Sequence, residues 1–88
     1  MTPADRAFLI KRAVLRALED CGDFPVTEAA LREHVTIKID HLRPTTAELD
    51  AVFRSLDTLR LVVALPSERG PKFRLTDAGR LWLAEHAA

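Results

Sequence analysis

Thr46-Ala47-Glu48-Leu49-Asp50-Ala51-Val52-Phe53-Arg54-Ser55-Leu56-Asp57-Thr58-Leu59-Arg60-Leu61-Val62 and, a short turn later, Lys72-Phe73-Arg74-Leu75-Thr76-Asp77-Ala78-Gly79-Arg80 are the two most informative stretches of this chain. In the first, Leu49, Val52, Phe53, Leu56 and Leu59 recur at helical spacing, and Ala47, Asp50, Ala51, Arg54 and Thr58 fall on the opposite face. Pro44 biases Arg43 away from helix, and Thr45 or Thr46 supplies the cap, so the spacing predicts a helix to about Leu59. In the second, Lys72-Phe73-Arg74-Leu75 alternates charged and apolar residues, as a half-buried strand does. Thr76 then caps a last helix, predicted from Asp77 to about His86, with Asp77 at its positive end. Between the two lie an apolar run of strand length, Leu61-Val62-Val63-Ala64-Leu65, and the turn cluster Pro66-Ser67-Glu68-Arg69-Gly70-Pro71. The two strands are expected to form a β-hairpin.

Upstream, a first helix is predicted from about Pro3 to Cys21. Pro3 suits the first turn, where its missing N–H is not needed. Ala7, Ile10, Val14, Leu18 and Cys21 mark the apolar stripe, Phe8 and Leu15 widen it, and Leu9 points away. Gly22-Asp23 stops this helix, and Phe24-Pro25-Val26 reads as an extended link. Thr27 caps a second helix with Leu31 and Val35 facing inward. Helical spacing continues through Ile39 and Leu42, but Val35-Thr36-Ile37-Lys38-Ile39 is also β-branched and alternating. The second helix is therefore expected to end near His34, with irregular or extended chain over 35–44. The fold class is mainly α with a small two-stranded hairpin: three helices, a wing of two strands, and a C-terminal helix in a single domain spanning 1–88.

The composition narrows the function classes. Thirteen Lys+Arg balance thirteen Asp+Glu, so the formal net charge is +0 and nothing in the total attracts nucleic acid. At 48% hydrophobic and 30% charged, with both signs interspersed, the chain is a folded domain and not a disordered tail. No apolar run approaches the roughly 20 residues that span a bilayer, so no membrane role is expected. Met1-Thr2-Pro3-Ala4-Asp5-Arg6 lacks the pattern of a signal peptide. Cys21 is the only cysteine, which excludes a disulfide framework and fits a cytoplasmic setting.

The first quoted stretch resembles the third helix and first wing strand of winged helix-turn-helix proteins, in which a capped helix with inward leucines runs into a short connection and a strand. Lys72-Phe73-Arg74-Leu75-Thr76-Asp77-Ala78-Gly79-Arg80 resembles the second wing strand and following helix start of MarR-like and PadR-like bacterial regulators. The resemblance covers about Phe8 to Leu83. Two features depart from it. The interval between the second and third helices exceeds the usual turn of about 3–4 residues, and Arg60 stands where the family often has glycine.

The resemblance implies duplex DNA binding, with the third helix in the major groove and the hairpin beside it. Arg54 is then the long donor on the exposed face, suited to guanine O6/N7 or a phosphate. Thr45 and Thr46 would give hydroxyl and backbone N–H contacts to phosphate, and Thr58 close approach to the groove. Thr45–Leu61, however, sets Arg54 and Arg60 against Glu48, Asp50 and Asp57, a net of −1. Val62–Leu75 sets Arg69, Lys72 and Arg74 against Glu68, a net of +2. A basic wing suits phosphate or minor-groove contact, and Arg32, Lys38 and Arg43 would extend that surface. Lys and Arg on an edge strand also guard against sheet-to-sheet aggregation, the structural alternative.

No catalytic or metal-ligating constellation is legible, so neither an enzyme nor a cofactor is expected. His34, His41 and His86 share no helical face, and Cys21 reads as a small buried residue. In the last helix Leu81-Trp82-Leu83-Ala84 run in succession, so not all can face one small core. Trp82 either joins that core, or Trp82 or Leu83 meets Phe8 and Leu9 of a second subunit, giving a homodimer through the first and last helices. The expected function is a small DNA-binding transcriptional regulator of bacterial or phage type. The alternatives are a protein–protein interaction module of the same fold, and a DNA-handling part of a mobile element.

Overall fold

The structure, a computed structural model, describes residues 1–86. Its elements run α1 (Pro3–Asp20), β1 (Val26–Thr27), α2 (Glu28–Lys38), a 3-10 turn (Asp40–Leu42), α3 (Thr46–Thr58), β2 (Val62–Leu65), β3 (Lys72–Leu75) and α4 (Asp77–Glu85). Each helix starts where a threonine can satisfy the open N–H groups of a first turn. The hydroxyls of Thr2, Thr27, Thr45 and Thr76 accept from the backbone N–H of Asp5, Ala30, Glu48 and Gly79. Each such cap contributes about 1 kcal/mol. Pro3 occupies the first turn of α1, and Gly22 beyond its end takes the left-handed conformation (φ 64°) that glycine tolerates best.

The core forms on α1, which packs against α2, α3, α4 and β3. Ile10, Val14, Leu15 and Leu18 of α1 are fully enclosed together with Leu31 and Val35 of α2 and Leu56 of α3. Burying a side chain of this size contributes about 1.5–3 kcal/mol. Phe53 of α3 meets Phe73 of β3 with ring centroids 5.5 Å apart, joining the helical layer to the sheet.

The fold is mainly helical with a small antiparallel sheet, and the sheet corrects the expected two-stranded hairpin. It has three strands in the order β1-β3-β2, with Val26 opposite Phe73 and Thr27 opposite Lys72 on one side. On the other side Val62 pairs with Leu75, Val63 with Arg74, Ala64 with Phe73 and Leu65 with Lys72. Over Lys72 and Phe73, β3 is therefore the central strand, and the edge-guard explanation does not apply to Lys72.

Four further expectations are corrected. α2 continues past His34 to Lys38. Val35 is buried and Ile39 packs on the core one turn later, so burial of this stripe overrides the β-branched run. The connection to α3 thereby shortens to residues 39–45, part of it the 3-10 turn. Cys21 and Leu59, both expected inside, are exposed: each is the C-cap of its helix, where the chain leaves the helical path. Ala7 is likewise exposed.

Phe8 and Trp82 meet within the one chain, with centroids 5.6 Å apart. Trp82 stacks on His86 at 4.1 Å, and Leu83 belongs to the core. Among the described residues no helix is long and apolar enough to cross a membrane.

Candidate nucleic-acid interface

The charges on α3 are the first test of this surface, because its sequence is net acidic. Glu48 and Asp50 turn out to be bound by arginines of other helices. Arg6 of α1 forks onto Glu48, with Nε 2.8 Å from Oε2 and Nη2 2.9 Å from Oε1, and Nη2 also donates to the Leu42 carbonyl oxygen at 2.7 Å. Glu48 in turn accepts from the Thr45 N–H at 3.1 Å, closing a capping box. The Arg6 hydrogen bond, followed by the Thr45 N–H, holds the Glu48 carboxyl down at about 2. This carboxylate already occupies the positive end of α3.

Arg32 of α2 does the same for Asp50. Its Nη2 donates to Asp50 Oδ1 at 2.6 Å, its Nε lies 3.3 Å from Glu28 Oε2 outside hydrogen-bond geometry, and its guanidinium carbon sits 4.9 Å from the Phe53 ring centre. Arg32 is thus tied between α2 and α3 and does not extend a free positive surface. With Glu48 and Asp50 paired, α3 and its exit are left with Arg54 and Arg60 against Asp57. The local balance that the sequence sets at −1 is inverted by two long-range ion pairs.

Thr46 and Thr58, the first and last residues of α3, are exposed. The Thr45 hydroxyl already accepts from Glu48 N–H, which leaves its own O–H free to donate. Arg54 is exposed on the face of α3 away from the core, and Arg69 lies exposed in the hairpin turn. Lys72 and Arg74 point to the face of the sheet opposite the buried Phe73 and Leu75. Among the described residues none of Arg43, Arg54, Arg60, Arg69, Lys72 and Arg74 forms an ion pair. Arg80, by contrast, is shared between Asp23 at 3.4 Å and Asp77 at 3.2 Å.

A backbone bond adds to the β1–β3 pairing in tying the hairpin to the start of α2. The Glu28 N–H donates to the Pro71 carbonyl oxygen at 3.3 Å, so the hairpin base abuts the start of α2, and Arg32 one turn on reaches α3. The sequence did not single out Arg60 as a contact residue. It adopts φ 57°, and Arg43 adopts φ 47°. An L-residue in this region costs about 1–2 kcal/mol relative to right-handed backbone. The glycine-like position of Arg60 was the available signal.

Among the described residues no group of three His, Cys, Asp or Glu side chains is placed to hold a metal ion. Comparison with known proteins gives no matching family model, no similar curated protein and no similar solved structure.

Proposed function

We propose that this chain is a winged-helix protein that binds duplex DNA, acting as a small transcriptional regulator, with α3 directed at the major groove and the β2–β3 hairpin flanking it. The observation that carries the reading is the pairing of Glu48 with Arg6 and of Asp50 with Arg32, while the cations of α3 and the hairpin have no acid partners among the described residues. Such cations are what displaces counterions from a phosphate backbone. The order of three helices, hairpin and helix supports the winged arrangement, and Lys72 and Arg74 on the outer face of the sheet support phosphate contact from the wing.

Titration of binding to random-sequence duplex DNA against salt tests this. Affinity is expected to fall steeply with salt, and the double variant Lys72→Ala, Arg74→Ala to flatten the slope of log K on log salt by about 1.8, or about 0.9 per lost phosphate contact. Absence of binding at low salt would sink the DNA reading.

One observation favours the second reading, an interaction module working without DNA: Phe24 and Leu81 are 81% and 60% exposed. A homodimer through α1 and α4 would now rest on Leu81 and the half-buried Leu9, since Phe8 and Trp82 already pack together within the chain.

A further inference from the structure

Two residues of the described chain other than glycine have positive φ, and both are arginines placed just outside α3. Arg43 (φ 47°, ψ 62°) follows the 3-10 turn and stands two residues before the Thr45 cap. Arg60 follows the C-cap Leu59. There the Leu61 N–H returns to the Leu56 carbonyl oxygen at 3.0 Å and the Arg60 N–H to the Asp57 carbonyl oxygen at 3.0 Å. This is the helix-ending turn whose left-handed position glycine fills most often. An arginine at either place strains a backbone that glycine would leave relaxed.

Among the described residues nothing offsets that strain through the two side chains. Both are exposed, and neither forms an ion pair among the described residues. Their backbones, in contrast, are firmly held. The Thr76 hydroxyl donates to the Arg60 carbonyl oxygen at 2.8 Å, the Arg43 N–H bonds the Asp40 carbonyl oxygen at 3.0 Å, and Arg6 grips the preceding Leu42 carbonyl oxygen. Each guanidinium thus leaves a fixed point at one end of the helix.

We propose that Arg43 and Arg60 are a pair of phosphate clamps, one at each end of α3, gripping the two sugar–phosphate strands that border the groove it enters. This rests on the DNA-binding reading. The thirteen residues of α3 rise about 20 Å, more than the roughly 12 Å width of the major groove. A helix crossing that groove therefore brings its two ends over opposite strands. The bidentate guanidinium suits phosphate there, and strain held at a rigid, exposed, unpaired arginine marks a site kept for an external ligand.

The test pairs stability with salt-dependent binding to a 20-base-pair duplex. Arg60→Gly is expected to raise the melting temperature and to reduce the slope of log K on log salt by about 0.9. Arg43→Gly is expected to reduce the slope equally, and Arg60→Lys, which keeps both charge and strain, to retain the wild-type slope. Glycine variants that bind with the wild-type slope, or a lowered melting temperature for Arg60→Gly, would overturn the clamp while leaving DNA binding in place. A wild-type protein with no salt-dependent binding to the duplex removes the DNA reading and the clamp together.

Discussion

The two ends of α3 are built in opposite ways. At the N-terminal end the cap and its acid are partnered, although the Arg43 side chain just before them is not: Thr45 and Glu48 close a capping box, and Arg6 binds both oxygens of Glu48 and the Leu42 carbonyl oxygen. At the C-terminal end the backbone is equally well tied, through Leu61 to Leu56 and Thr76 to Arg60, but the Arg60 side chain has no acid partner among the described residues. The Arg6–Glu48 pair at the first end joins α1 to α3 and is structural. Charge at the second end, continued by the hairpin cations, faces outward. The formal neutrality of the chain is therefore not neutrality of this surface, because Glu48 and Asp50 are paired with arginines of neighbouring helices.

The C-terminal end is the more vulnerable to crowding. Gly79 of α4 lies against it so closely that a Cβ there would fall on the Leu61 carbonyl oxygen and 2.6 Å from Leu75 Cδ1. Gly79→Ala is expected to destabilise the protein by about 1–3 kcal/mol through overpacking, more than the up to about 1 kcal/mol that alanine gains in helix propensity. A lower urea midpoint at unchanged m would register it. A midpoint at or above wild type would mean that α4 can slide away from the end of α3, and that the close fit does not define this end.

The N-terminal end has redundant ties, so losing one costs less. Thr45→Ala removes the hydroxyl that accepts from Glu48 N–H and is expected to cost about 1 kcal/mol. Arg6 continues to hold Glu48 in that variant. A loss as large as that of Gly79→Ala would show that the cap, and not the Arg6 fork, carries this end.

This contrast also separates what sequence can reveal from what it cannot. The caps at Thr27, Thr45 and Thr76, the stop at Gly22 and the two hairpin strands are local signals, legible because side chain and backbone partner lie within a turn of each other. The ion pairs that reverse the charge of α3 are not local: Arg6 and Glu48 are 42 residues apart, Arg32 and Asp50 18. No spacing rule connects them, and Arg32 read as a free cation for that reason. β1 is two residues long, too short for alternation to show, and is a strand only because β3 is there to pair with it. Cys21 and Leu59 fit the helical stripe by count but sit at the caps, where the count ceases to describe direction. Left-handed backbone at Arg60 was foreshadowed by its position, since glycine is the residue that relaxes such a turn.

The smallest expected effect also belongs to the N-terminal end. The Glu48 carboxyl, held at about 2 by Arg6 and the Thr45 N–H, has an ordinary value of 4.5, which it regains on unfolding. The unfolded chain therefore binds a proton more readily than the folded one between those values. Stability from this carboxylate is fully present above about pH 4.5 and is lost progressively as pH falls towards 2. Glu48→Gln cannot ionise, so it is expected to lower stability at neutral pH and to converge on wild type as the pH falls through this window. Melting temperatures of both proteins from pH 7 to pH 2 measure the difference. A constant gap across the range would assign the Glu48 contribution to shape and hydrogen bonding alone, and the N-terminal end would no longer differ from the other in how it uses charge.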